Sequence, residues 1–187
     1  SKEIGITIFS TPFDEKGVDI LEEMNTPVYK IASFELTDLP LIKYIASTGK
    51  PIILSTGLSS KKEIYEAIET AKSNGSKDII LLHCVSSYPA PIEEANLLQI
   101  NQLADTFGLP IGLSDHTLGT TVAIASVVLG ACIIEKHFIL DRSMKGPDSD
   151  FSINPEELRF LCKETKNVWQ SLGKKTFEKQ KSEEKNN

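Results

Sequence analysis

The sequence predicts an α/β fold of the TIM (β/α)8-barrel type, and three observations support this prediction. Six short runs rich in Ile, Val and Leu alternate with helical patterns, as parallel strands and crossover helices do. The runs do not alternate apolar and polar residues, which indicates strands covered on both faces. Polar residues follow nearly every run, and a barrel gathers all its strand ends at one mouth, whereas an open sheet has a single switch point.

The predicted strands are spread along most of the chain, at residues 4–9, 28–32, 51–55, 79–84, 110–113 and 131–135. Six βα units make up most of an eight-unit barrel, whose usual size is about 250 residues. No glycine-rich phosphate loop of the Rossmann or P-loop pattern occurs, which favours the barrel over an open doubly wound sheet. We therefore predict an incomplete barrel with about six βα units.

Helices between the strands are predicted from their ends. Ser60 and Glu63 form a capping-box signature, and apolar residues then recur at helical spacing until Gly75. Asn154 and Pro155 begin a later helix in the same way, as a cap followed by proline at the first helical position. The apolar positions of this later helix are Leu158, Leu161, Cys162 and Trp169.

One further helix is predicted over residues 120–129, which are apolar nearly all round and end at Gly130. Beyond Gly173 the chain is a charged run with one aromatic residue and no period. We therefore expect residues 1–173 to form a partial barrel domain and residues 174–187 to be a charged linker or tail.

Composition limits the class of function. The net charge is -6 and no Lys/Arg cluster precedes the C-terminus, so we expect no nucleic-acid partner. No apolar run approaches the ~20 residues that span a bilayer, and no signal-peptide core is present, so we expect no membrane association. Cys84, Cys132 and Cys162 are widely spaced in apolar stretches, which predicts buried reduced thiols and a cytoplasmic location.

Two histidines follow successive predicted strands. His116 and His137 would lie on adjacent staves of a barrel and reach the same mouth, where two imidazoles can share one metal ion. Such a pair leaves coordination positions open, which suits Mn²⁺ or a similar divalent cation acting as a Lewis acid. The alternative is that each ring only forms hydrogen bonds within the barrel rim.

A lysine lies inside an otherwise apolar predicted strand. Lys30 would be costly to bury alone, so an anion should accompany it. Hydroxyl groups at neighbouring strand ends could complete a phosphate or carboxylate site around this cation; they belong to Ser33, Ser55, Ser86 and Ser114. The alternative is an internal ion pair between Lys30 and Glu135, with the serines acting as turn residues.

Three more residues are candidates for roles in a site. Glu135 could be a general base near the metal, or a partner that orients a histidine. Asp148 lies on the loop after the last predicted strand, where barrels place substrate contacts, although it could also be a plain turn acid. Tyr88 belongs to a rigid Tyr-Pro-Ala-Pro loop that could wall a sugar pocket or merely end a strand.

These residues also resemble the sialic acid synthase family, which includes N-acetylneuraminate, legionaminate and pseudaminate synthases. The resemblance covers almost the whole chain up to Gly173, and the joint order and spacing of its landmarks are specific. The landmarks are Ser10-Thr11-Pro12-Phe13, Tyr29-Lys30-Ile31-Ala32-Ser33, Ser55-Thr56-Gly57, Tyr88-Pro89-Ala90-Pro91, Gly112-Leu113-Ser114-Asp115-His116-Thr117, Glu135-Lys136-His137-Phe138 and Gly146-Pro147-Asp148.

The resemblance implies an enzyme that condenses phosphoenolpyruvate with an N-acyl amino-sugar aldehyde and releases phosphate. It implies that His116 and His137 are manganese ligands and that Glu135 handles the attacking water. Tyr88 and Asp148 would face the acceptor sugar. The phosphate and carboxylate of phosphoenolpyruvate would be held by Thr11, Lys30, Ser33, Ser55 and Ser114, while Ser86 stands where some members have asparagine.

The extent of the chain departs from the family pattern. Family barrels begin with two further βα units that carry additional site residues, and members usually end in an antifreeze-like domain that reaches the partner's site in a homodimer. Neither part is present in these 187 residues. The resemblance thus implies a truncated product or one part of a split gene, with little activity of its own.

The acceptor is expected to be the precursor of pseudaminic acid, because segments 29–35, 86–88 and 148–152 look closer to pseudaminate synthases. N-acetylneuraminate or legionaminate synthase is the alternative within the family. Outside it stand a synthase for another sugar acid such as a 3-deoxy-octulosonate phosphate, a metal-dependent barrel hydrolase, and an inactive barrel fragment.

Overall fold

The computed structural model describes residues 1–183 and, for Lys2, the backbone only. Five parallel strands form one sheet: β1 (Tyr29–Ile31), β2 (Ile52–Ser55), β3 (Ile79–Cys84), β4 (Ile111–Asp115) and β5 (Ile134–Lys136). Each strand pairs with the next one along the chain, so the order never reverses and the sheet has no switch point. This is the winding of a barrel, and it confirms the prediction of an incomplete α/β barrel.

Six helices alternate with the strands: α1 (Glu15–Glu23), α2 (Leu39–Ala46), α3 (Lys61–Ser73), α4 (Gln99–Phe107), α5 (Thr121–Val128) and α6 (Pro155–Ser171). The main core lies between the sheet and the first four helices, with a second apolar cluster around α5 and α6. The strand residues in the main core include Tyr29, Ile31, Ile52, Leu54, Ile79, Leu81 and Ile111. Side chains alternate along a strand, so the residues between these, including Lys30, face the opposite side.

The predicted first strand, residues 4–9, is wrong. Lys2–Ile4 is a 3₁₀ turn, and the only ladder contact of this segment is an isolated parallel bridge between Ser10 and Tyr29. Ile6 and Ile8 are exposed. A central strand of a parallel sheet is covered and paired on both sides. Within residues 1–183 this segment is not covered in that way, and its pairing with β1 is limited to the bridge at Ser10.

The predicted helix ends are confirmed. Ser60 and Glu63 form both hydrogen bonds of a capping box at the start of α3, and Asn154 and Glu157 form the same box at the start of α6. Helix α5 is followed by Gly130, whose positive φ of 95° suits glycine.

The outer side of α6 is less buried than its apolar residues indicate. Leu161 is buried, whereas Trp169 is 68% exposed.

The prediction of three buried thiols is partly wrong. All three thiols are free, but only Cys84 is buried, while Cys132 and Cys162 are exposed. Cys132 lines an open groove with Trp169 beside β5, where the described sheet ends.

That residues 174–187 act as a linker or tail stays a prediction. Residues 174–183 form turns and bends without a regular helix or strand, and their side chains are exposed. The last four residues of the predicted tail lie outside the described residues. Between residues 1 and 183, no helix has both the length and the apolar character needed to cross a membrane.

Candidate active site

Side chains from the first and last strands meet over the sheet face that turns away from the main core. The Lys30 ammonium on β1 lies 3.6 Å from Glu135 Oε2 on β5. The other Glu135 oxygen accepts a 2.6 Å hydrogen bond from Ser114 Oγ, and Ser114 and Glu135 are register partners on β4 and β5. Four strand spacings in a flat sheet would separate β1 from β5 by about 19 Å. The sheet therefore curls until both ends contribute to one site.

The charge on Lys30 is held in a nearly dry position. Its side chain is 7% exposed, and burial lowers the pKa of the ammonium below its usual value although Glu135 and Glu35 oppose this shift. The nearest ammonium hydrogen bond goes to the Ile31 carbonyl at 3.1 Å. The internal ion pair foreseen as an alternative for Lys30 is thus present, and it leaves ammonium hydrogens for a further anion.

Hydroxyl groups cluster around Gly57, shortly after the end of β2, which is the strand that pairs with β1. A Cβ atom on Gly57 would collide with Ser86 Oγ and lie 2.8 Å from Ser33 Oγ, so only glycine leaves both hydroxyls in place. Ser55 Oγ is buried and has no hydrogen-bond partner. A buried hydroxyl without a partner is costly. An anion bound next to Ser55 would accept the missing hydrogen bond from this hydroxyl.

Two imidazoles complete the neighbouring part of the mouth. The rings of His116 and His137 have centroids 5.3 Å apart. His116 Nδ1 lies 3.0 Å from the Val85 carbonyl, and His137 Nδ1 lies 3.2 Å from Asp148 Oδ2. Each Nδ1 therefore donates its hydrogen, which leaves a lone pair on each Nε2. Within residues 1–183, neither Nε2 forms a hydrogen bond.

The two histidines differ in their electrostatic surroundings. Burial opposes protonation of His116, but the Cys84 thiol and the Val85 carbonyl raise its pKa above the usual value. Burial lowers the pKa of His137, and His116 lowers it further against the opposing effect of Asp148. The pKa of Cys84 is lowered: burial raises it, but contact with His116 and two serines outweighs burial.

Aromatic rings enclose the imidazoles on one side. The Tyr88 ring lies 4.3 Å from the His116 ring, and the Phe151 ring lies 4.9 Å from the His137 ring, measured between centroids. Phe151 is buried, whereas Tyr88 is 46% exposed. The side chain of Asp148 is half-exposed at the edge of this wall. The predicted Tyr88 loop and the loop after β5 are thus brought to the same place.

A divalent metal fits this arrangement through the two imidazoles. No group of three or more His, Cys, Asp or Glu side chains suited to a metal occurs among the described residues. The protein would therefore supply two nitrogen ligands, His116 and His137, whose remaining ring nitrogens are already held by Val85 and Asp148. Beyond these two, the described residues leave coordination positions open to water or substrate oxygen, and open positions of this kind are typical of catalytic sites.

Thr11 is the candidate residue with the least contact with the other candidates in the structure. It follows Ser10, which bridges to β1, but within the described part of the chain it forms no hydrogen bond with another candidate. Two residues of the site were missed in the sequence. Glu35 has a buried carboxylate oxygen without a partner, and Cys84 lies 3.9 Å from His116 Nδ1. The sequence did contain a signal for Cys84. It ends the predicted strand 79–84, two residues after Leu82 and therefore on the same face of the strand.

Comparisons with known proteins agree with this architecture. The family model described as the NeuB family matches residues 1–177. The chain is 46% identical to N,N'-diacetyllegionaminic acid synthase of Campylobacter jejuni, over 100% of the chain and 56% of that protein. It is 43% identical to pseudaminic acid synthase of Helicobacter pylori, over 97% of the chain and 55% of that protein.

A solved structure of a related protein also has the same three-dimensional fold as this chain. The N-acetylneuraminic acid (sialic acid) synthetase of Leptospira borgpetersenii, crystallised with citrate, superposes with a TM-score of 0.93 at 39% identity. The match covers 99% of the chain and 65% of that structure. The chain spans about half the length of the curated relatives it matches. The family model and these relatives together show that the chain belongs to the NeuB family.

Proposed function

We propose that this chain forms most of the barrel of a nonulosonic acid synthase, which joins phosphoenolpyruvate to an N-acyl amino-sugar aldehyde and releases phosphate. The observation that carries the proposal is that the buried Lys30 and the unpartnered hydroxyl of Ser55 face the same side of the neighbouring strands β1 and β2, toward the mouth that also holds His116 and His137. This combination offers an anion site next to a metal site. The names of the relatives, which are synthases of legionaminic, pseudaminic and sialic acids, support it.

The donor substrate occupies the Lys30 side of the mouth. Lys30 neutralises part of the negative charge of phosphoenolpyruvate, and the serine hydroxyls orient its oxygens by donating hydrogen bonds. The residues proposed for the phosphate and carboxylate are Thr11, Lys30, Ser33, Ser55, Ser86 and Ser114. Lys30 is also catalytic, because it stays beside the phosphate that leaves.

The acceptor occupies the histidine side. Mn²⁺ or a similar divalent cation held by His116 and His137 would act as a Lewis acid toward the aldehyde oxygen. Tyr88 forms the wall of the sugar site, and Asp148 binds acceptor polar groups while holding His137 in orientation.

The chemistry proceeds between these two sides. The methylene carbon of phosphoenolpyruvate forms a bond with the aldehyde carbon, whose oxygen takes up a proton to become a hydroxyl. Positive charge develops on the enol carbon and is balanced by nearby carboxylate. Water adds there as Glu135 accepts its proton, and cleavage of the C–O bond then releases phosphate. Ser114 fixes the orientation of Glu135 by its 2.6 Å hydrogen bond.

The favoured acceptor is the 6-deoxy precursor of pseudaminic acid. Phe151 is 3% exposed and packs edge-on against the His137 ring. An apolar ring beside the acceptor site tolerates a methyl group and leaves a hydroxymethyl group without hydrogen-bond partners. The second candidate product is legionaminic acid, because it is also 6-deoxy and the relative with 46% identity makes it.

The test is phosphate release from phosphoenolpyruvate in the presence of Mn²⁺, using a protein in which this chain is part of a complete barrel. We expect faster turnover with 2,4-diacetamido-2,4,6-trideoxy-altrose than with N-acetylmannosamine. Faster turnover of N-acetylmannosamine would overturn the acceptor assignment. Absence of phosphate release with every amino-sugar aldehyde, including the legionaminic acid precursor, would overturn the synthase itself.

A further inference from the structure

A buried ion pair lies directly behind the histidine pair. Lys136 Nζ is 2.8 Å from Asp115 Oδ2, and the two side chains are 3% and 1% exposed. The other Asp115 oxygen accepts hydrogen bonds from the Thr117 amide at 2.9 Å and the Thr117 hydroxyl at 2.7 Å. Lys136 also donates to the Thr117 carbonyl at 2.6 Å. Every charged oxygen and the ammonium of this pair therefore has a partner.

The pair stands on the opposite face of the sheet from the site. Asp115 and Lys136 are register partners on β4 and β5. The residues before them, Ser114 and Glu135, are hydrogen-bonded on the mouth side. Because side chains alternate along a strand, Asp115 and Lys136 face the helices, and the next residues return to the mouth. Those next residues are His116 and His137.

Stability alone does not account for this pair. Burying two charges costs about as much as their attraction returns, so buried ion pairs add little net stability and instead impose a fixed geometry. Strand β5 has only three residues, so few ladder hydrogen bonds with β4 hold its end. Such a short strand opens easily at its end unless something else holds it.

We propose that Asp115 and Lys136 are positioning residues, which set the separation and orientation of the two metal-binding imidazoles. The ion pair ties the end of β4 to the end of β5 one residue before each histidine. The hydrogen bonds that Thr117 forms with Asp115 and Lys136 also fix the residue that follows His116. The inference rests on the proposed function, because it takes His116 and His137 as ligands of one cation.

The test compares Mn²⁺ affinity among variants of a protein in which this chain is part of a complete barrel. The main variant is Asp115→Asn with Lys136→Met, which removes both charges together and keeps an acceptor for Thr117. We expect the thermal unfolding midpoint to change little, while Mn²⁺ affinity falls about tenfold or more, as for other residues that orient metal ligands. Electron paramagnetic resonance of the free ion measures the affinity without reference to turnover.

A matched control removes a second ion pair far from the mouth. The Lys50 ammonium lies 2.6 Å from Glu22 Oε1, so Glu22→Gln with Lys50→Met makes the same change in charged groups. We expect this control to bind Mn²⁺ as the parent chain does. If the main variant does not fold, Thr117→Val replaces it, because it removes one hydrogen bond to Asp115 and leaves both charges; we expect a several-fold loss of affinity.

The outcomes separate the inference from the proposed function. Weaker Mn²⁺ binding by the folded main variant, with an unchanged control, supports a positioning role. Equal affinity in the main variant and the parent chain overturns the inference and leaves the metal site intact. Failure of the parent chain to bind Mn²⁺ overturns both.

Discussion

Lys30 illustrates how one buried charge constrains what the mouth can bind. Its ammonium is paired with Glu135 at 3.6 Å, longer than a direct hydrogen bond, while Glu135 is bound more closely by Ser114. Burial lowers its pKa below the usual value, which means that the charged form is under-solvated. A phosphate or carboxylate from a substrate would restore the lost interactions of the ammonium.

Replacing Lys30 with Met should therefore weaken anion binding much more than it weakens the fold. We expect the affinity of the chain for phosphoenolpyruvate to fall about 10- to 100-fold, because a hydrogen bond to a charged group contributes roughly 1.5–3 kcal/mol. Titration calorimetry checks this, with Lys62→Met as the control, since Lys62 carries the same charge at an exposed position on α3. Equal losses in both variants would contradict a specific role for Lys30.

The histidine pair allows a direct test of metal binding. We expect His116→Ala or His137→Ala to abolish Mn²⁺ binding in calorimetry, because each removes one of only two protein nitrogens. The third histidine is the natural control. His83 Nε2 contacts the Ala95 carbonyl at 2.8 Å, so His83→Gln keeps a donor there and should bind Mn²⁺ normally. Unchanged affinity in both alanine variants would remove the metal assignment.

Among single residues, the functional candidates that could be recognised from the sequence are those whose chemistry conflicts with their surroundings. Lys30 inside an apolar strand is such a conflict, and the structure pairs it with Glu135, as the ion-pair alternative predicted. Glu35 was not predicted, because a glutamate in a short turn looks like any exposed acid. In the folded chain one of its carboxylate oxygens is buried without a partner, and its charge acts on the pKa of Lys30.

Among the elements, the helices could be predicted more closely than the first strand. A helix end depends on a few neighbouring residues, such as Ser60 with Glu63, and both capping boxes were predicted correctly. A parallel strand depends on partners that are distant in sequence. Residues 4–9 have the composition of a strand, but pairing is limited to the bridge at Ser10.

Helix α6 carries an acid-sensitive cap. Glu157 accepts a hydrogen bond from the Asn154 amide and forms an ion pair with Arg142, which lowers its pKa from the ordinary value of 4.5. A carboxylate with a lowered pKa stabilises the folded state above pH 4.5, and this contribution disappears as pH falls through the folded pKa. The ion pair is partly exposed, so the contribution is about 1 kcal/mol or less.

Glu157→Gln keeps the capping acceptor and removes the charge. We expect its thermal unfolding midpoint to be lower than that of the parent chain near pH 7, and the difference to shrink as the pH falls below 4.5 toward pH 3. Circular dichroism at both pH values measures this. The surface variant Glu66→Gln, which alters the exposed ion pair with Lys62, should show a smaller difference. A difference for Glu157→Gln that is as large at pH 3 as at pH 7 would exclude the charge as its cause.

At the scale of the whole chain, the main feature is a curled sheet whose two outer strands, within residues 1–183, are each paired along their full length on one side only. The curl brings Lys30 and Glu135 together from the first and last strands, so the site already has the curvature of a barrel. Apolar grooves run beside both edges. One is lined by residues that include Ile6, Ile8 and Met24, and the other by residues that include Ile134 and Trp169. Exposed edges and apolar grooves of this kind favour association with other chains.

The 187-residue chain alone should therefore show little or no synthase activity. An eight-unit barrel encloses its mouth, whereas five strands leave it open to water on one side, which weakens every electrostatic interaction with phosphoenolpyruvate. We expect sedimentation to reveal oligomers or aggregates, and phosphate release to appear once a polypeptide that supplies the remaining βα units is added. Adding the same polypeptide to the Lys30→Met variant should restore assembly but little turnover. A monomeric chain with full activity would show that the open sheet suffices for catalysis.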